Sequence, residues 1–112
     1  MRRLGPGTSL RSVVAEATRS GRAVHVVPAG ADSRSSIAAF AAALRLPTWF
    51  GHNLDALLDA LRDLPDDGPL ELVWDRVGVL RAADPVGFAA ILAVLHDTET
   101  HRADLHVTVL DR

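Results

Sequence analysis

The chain has 112 residues, 48% of them hydrophobic, and a formal net charge of −2 at pH 7. That length holds one domain with a real core and not two. Cysteine is absent, which excludes a disulfide framework, a thiolate metal site and a thiol nucleophile.

No apolar run approaches the roughly 20 residues that a bilayer span needs. Met1-Arg-Arg leads into Leu4-Gly-Pro-Gly rather than into an apolar signal core, so a soluble, cytoplasmic protein that is not exported is expected. All 12 basic residues are Arg, and they are unevenly placed. Residues 1–22 hold five Arg against Glu16, whereas residues 52–75 hold seven acids against Arg62. An acidic middle repels phosphate backbones and attracts basic proteins. A basic protein partner is therefore expected, with no direct nucleic-acid contact and no membrane contact.

In chain order, Thr8 or Ser9 can cap a first helix whose Leu10, Val13, Val14 and Ala17 repeat at helical spacing, and Gly21 suits its end. Residues 23–27 are rich in β-branched side chains and stop at Pro28 and Gly30, which predicts a strand with His25 as a half-buried member. Asp32 or Ser33 caps the next helix, with Ile37, Phe40, Ala41 and Leu44 on its buried face. Pro47 disfavours helical geometry at Leu46 and ends it.

Trp49, Phe50 and Gly51 then form a short loop. Asn53 is placed as an N-cap that accepts from the backbone of Asp55 or Ala56, and Asp55 in the first turn complements the positive helix end. Leu54, Leu57, Leu58 and Leu61 make one apolar stripe. Asp55 and Asp59, four apart, stack on a neighbouring face, continued by Arg62 and Asp63.

Residues 64–69 are a turn cluster. The strand at 70–75 alternates Leu70, Leu72 and Trp74 with Glu71, Val73 and Asp75, which predicts one wetter face and a core position for Trp74. Asp84 and Pro85 open a last helix with a stripe of Phe88, Ile91, Leu92 and Leu95, and residues 105–110 form a final alternating strand. Strands joined by helical crossovers imply a parallel sheet. Polar positions at His25, Glu71, Asp75, His106 and Thr108 predict that the helices gather on one face, in two layers.

The string PTWFGHNLDALLDAL at residues 47–61 resembles the barstar family of intracellular ribonuclease inhibitors, whose pattern reads LP-x-aromatic-aromatic-G-x-N-x-D-A-L-x-D. The likeness extends more loosely over residues 22–112 and leaves out 1–21. It implies a two-layer α/β fold with a three-stranded parallel sheet and helices mainly on one face, here with an extra N-terminal helix, in a single domain. It also implies that Trp49, Phe50, Gly51 and the Asn53 helix plug a ribonuclease active site. Asp59 would stand in for RNA phosphate there and Asp55 would be the second helix acid. Asp97 falls where the family carries an acid late in its last helix. Leu58 replaces the usual aromatic, Arg62 replaces an exposed polar residue, and Leu64-Pro65 replaces a further aromatic loop, so the contact surface is rewritten and the target need not be barnase.

The partner so implied is a basic microbial ribonuclease, bound by a protein that is monomeric when free, with no cofactor, metal or catalytic residue. Two rivals differ in class. An enzyme could use Asp55 and Asp59 with His52 as a metal or acid–base site, although two carboxylates on an exposed helix lack the desolvation that would split their pKa values. Alternatively, the same acidic face could bind a basic protein that is not a nuclease.

Overall fold

Among the described residues, 1–47, 51–65 and 67–112 of a computed structural model, four strands form one parallel sheet. They are β1 (Arg2–Leu4), β2 (Ala23–Pro28), β3 (Leu70–Asp75) and β4 (Leu105–Leu110), side by side in the order β1-β4-β3-β2. Between them run α1 (Leu10–Arg19), α2 (Ser33–Ala43), α3 (Leu54–Arg62), α4 (Gly78–Ala83) and α5 (Pro85–His101).

Topology explains the layers. The step from β1 to β2 crosses the whole sheet, and the steps from β2 to β3 and from β3 to β4 come back. Crossovers between parallel strands are right-handed, so reversing the direction of travel moves the connecting helix to the other face. Accordingly, α1 packs Val13 against Val73 and Leu110 on one side. The opposite side carries the main core, with Phe40 of α2, Leu57 and Leu61 of α3, Leu80 of α4, and Phe88, Ile91 and Leu95 of α5.

Both the expected two layers and the three-stranded sheet are thereby corrected. The sheet has a fourth strand, β1, registered as Arg2 to Thr108 and Leu4 to Leu110, and α1 makes a third layer on its own. Three residues, two of them Arg, are too short and too polar to give a strand signal. The six-residue α4, between β3 and α5, likewise had no sequence signal of its own.

The predicted wet face of β3 is dry. Glu71 is 1% exposed, Asp75 3% and Thr108 1%, because α1 and the β1 side chains cover that side of the sheet. Glu71 is held there by the Thr108 hydroxyl, which donates to its Oε1 at 2.9 Å, and by Arg2 Nη2 at 3.7 Å. Asp75 receives Arg112 through Nε at 2.8 Å and Nη2 at 2.9 Å. Glu71 Oε1 and both Asp75 oxygens are thus bonded and covered, while Glu71 Oε2 is buried with no hydrogen-bond partner among the described residues. His106 alone of the five is exposed, and His25, registered beside Leu72, lies half-buried on the α2–α5 side.

Trp74 is fully buried, stacked on Phe88 with centroids 5.5 Å apart and tilted against Phe40 at 5.9 Å. This aromatic layer joins α2 and α5 to the sheet. Ser9, Asp32, Asn53 and Asp84 supply side-chain N-caps to α1, α2, α3 and α5, so these four helix starts follow from local sequence.

Candidate functional site

The start of α3 is fixed by short-range chemistry. Asn53 is extended at φ −132°, and its Oδ1 accepts from the Ala56 backbone at 2.8 Å. Its Nδ2 donates to the Gly51 carbonyl at 3.4 Å. A Cβ at residue 51 would lie 3.2 Å from Asn53 Nδ2, so glycine leaves that amide its room. His52 is exposed and takes a left-handed φ of 51°, turning the chain into the helix.

From that start, Leu57 and Leu61 are buried against the core and α3 packs mainly on α5. Leu58 is half-buried and lies outside the main core cluster. Helical geometry then sends Asp55, Asp59 and the C-cap residue Asp63 outward, and all three are exposed. Among the described residues none of the three makes an ion pair. Beside Asp59 and Asp63 lies a groove of about 460 Å³ between α2 and α3, floored by Leu44, Leu46, Ala60 and Leu64.

Two of the expected contact residues, Arg62 and Asp97, are joined to each other. Arg62 Nη2 donates to Asp97 Oδ2 at 2.7 Å, bridging α3 to α5, with the two side chains 45% and 39% exposed. On the far side of Asp97, His101 Nδ1 lies 2.8 Å from the Asp97 carbonyl oxygen and 3.6 Å from its Oδ1. Trp49 and Phe50, and with them the turn acid Asp66, lie outside the described residues.

The far end of α3 depends on a residue the motif does not contain. Arg102, just after α5, donates through Nη1 to the carbonyls of Leu61 at 3.1 Å and Leu64 at 2.8 Å. Asp104 fixes its guanidinium from behind, with Nη2 to Oδ2 at 2.6 Å. A cation on the last carbonyls of a helix satisfies acceptors that have no partner within it and complements the negative end of the dipole. An Arg after a helix is common, and the 38 positions between it and Leu64 hide the role.

Chemically, the arrangement offers carboxylates on a rigid and exposed support. Asp55 and Asp59 are not desolvated, and among the described residues no group of three His, Asp or Glu is placed to hold a metal. No described helix is long and apolar enough to cross a membrane. Fold and site together define a parallel α/β protein that displays an acidic helix anchored at both ends. Among known families, residues 22–110 match the one described as Barstar (barnase inhibitor), and the chain belongs to that family. The match leaves out β1 and α1. No curated protein matches the chain.

Proposed function

We propose that the protein inhibits a small secreted ribonuclease by inserting α3 into its active site. The observation that carries this reading is the exposed pair Asp55 and Asp59, which makes no ion pair among the described residues and stands on a helix whose two ends are fixed by Asn53 and Arg102, in a chain of the barstar family. A nuclease that holds RNA phosphate with Arg, Lys or His offers a basic pocket, and a carboxylate placed there makes charge-assisted hydrogen bonds but cannot be cleaved.

Asp59 is the central carboxylate in this proposal and Asp55 flanks it. Trp49, Phe50, Gly51, Asn53 and Leu58 form the surrounding contacts, and Arg62 and Asp97 lie at the far edge. The protein turns over no substrate, and it works in the cytoplasm against a nuclease made by the same cell. The test is titration of barnase and a panel of small secreted ribonucleases with the purified protein, reading RNA cleavage. Stoichiometric inhibition of at least one, lost in Asp59→Ala, is the expected result. Binding to a basic protein that has no nuclease activity, with the whole panel uninhibited, would replace this reading with that of a general acidic docking module.

A further inference from the structure

We propose that Arg62 determines which basic partners the protein accepts, by withdrawing Asp97 from the acidic surface. On α3 the carboxylates of Asp55, Asp59 and Asp63 form a row roughly 12 Å long at 1.5 Å rise per residue, exposed and without ion pairs among the described residues. A fourth carboxylate, Asp97 on α5, would extend the row sideways. Its Oδ2 is taken by Arg62 at 2.7 Å, and the same helix end carries His101, whose shorter contact is to the Asp97 backbone carbonyl at 2.8 Å. The surface is therefore ordered by charge, with anions along α3, exposed Arg45 lining the groove beside Asp59 and Asp63, and a compensated pair where α3 meets α5.

An exposed pair of this kind contributes little to folding, but it sorts partners. A basic protein whose cations converge on α3 meets three free carboxylates. One whose cations span α3 and α5 meets a guanidinium where it needs an anion, and like charges brought together at an interface discriminate strongly. The preferred partner thus concentrates its cations opposite Asp55, Asp59 and Asp63, and sets a neutral or acidic group opposite Arg62. The proposal rests on the inhibitor reading only in calling that partner a nuclease.

A deca-arginine peptide serves as the probe, titrated into the isotopically labelled protein while the side-chain carboxylate carbon shifts of all four Asp are followed. Asp55, Asp59 and Asp63 are expected to respond in the wild type, and Asp97 at least about threefold less than Asp59, as expected of a carboxylate already paired. In Arg62→Ala, and equally in Arg62→Gln, Asp97 should respond as strongly as Asp59. An Asp97 that responds like Asp59 in the wild type, or stays silent in both variants, overturns the proposal. Ribonuclease inhibition measured on the same proteins reads the inhibitor function separately: its absence beside the expected peptide map removes the nuclease and leaves the role of Arg62 standing.

Discussion

Asp59 occupies the middle of the free carboxylate row, and the contrast between it and a turn acid decides whether α3 is the part that binds. If Asp59 enters a basic pocket, truncating it strands the partner's cations, whereas removing the exposed turn residue Asp67 only thins a screened field. Asp59→Ala should cost more than about 2 kcal/mol of binding, mainly through faster dissociation, and Asp67→Ala less than about 0.5 kcal/mol. Barstar is itself a standard illustration of so large a loss, so the threshold is borrowed and the contrast between the two positions is what surface-binding kinetics would decide. A second residue is legible by pH. The Ser35 hydroxyl and then the Ser35 backbone N–H, both donating to Asp32, hold its carboxyl below the usual aspartate range. A depressed native pKa stabilises the fold above about pH 4, and that contribution is lost as pH falls through the native value. Asn caps nearly as well but does not titrate. Urea melts of wild type and Asp32→Asn should therefore converge or cross as pH is lowered from 7 towards 2, and a pH-independent gap would exclude the linkage.

At the scale of elements, α3 is held differently at its two ends. Asn53 and its acceptor bond to Ala56 lie three positions apart, so the start is readable from sequence, as are the outward acids and the buried Leu57 and Leu61, whereas Leu58, expected in the same stripe, lies outside the main core cluster. Arg102 reaches back across 41 positions to Leu61, a relation that no local pattern encodes. Its side chain is only 10% exposed, and removing it leaves carbonyls at the end of α3 without their charged donor. Arg102→Ala should lower stability by about 2 kcal/mol in denaturant melts, with Arg102→Lys restoring less than half, because one ammonium cannot reproduce the fork that spans two carbonyls and Asp104. A loss under about 0.5 kcal/mol would mean that the end of α3 is satisfied by other means. The strand β3 spans the expected residues, but the wet face expected of it is dry for a related reason. Its alternation of Leu70, Leu72 and Trp74 with Glu71, Val73 and Asp75 was real, but alternation reports chemistry, not exposure. Glu71 and Asp75 are buried, and each has a distant basic residue beside it, Arg2 and Arg112. Only the three-dimensional sheet order places those partners.

Across the whole molecule, the exposed carboxylate row of α3 lies on the opposite side of the sheet from α1. α1 carries exposed Arg11 and Arg19 on one face, while α3 presents its acids from the other. If the partner that meets α3 is basic, association should slow as salt shortens the reach of the field to about 10 Å at 0.1 M. Dissociation should change less. Barnase with its inhibitor is the familiar case of such steering, and only the sign is carried over. Stopped-flow association rates that stay flat from low to moderate salt would remove steering from the account. The parallel α/β class, the helix α3 and the Trp74 core are legible at this scale because strand and helix periods are local. The fourth strand and the third layer were not, since they depend on a pairing between the two ends of the chain. That pairing sets an order of events. Arg2 and Thr108 are 106 positions apart, so β1 cannot settle until β4 exists, and closing so long a loop comes late in folding. The unit at residues 22–110 that carries α3 can assemble first, with Glu71 still open to water. Hydrogen exchange should accordingly find β1 and α1 the earliest region to open from the native state, and strands β3 and β4 the last. The segment at residues 2–19 is then expected to be the last part of this fold to be placed.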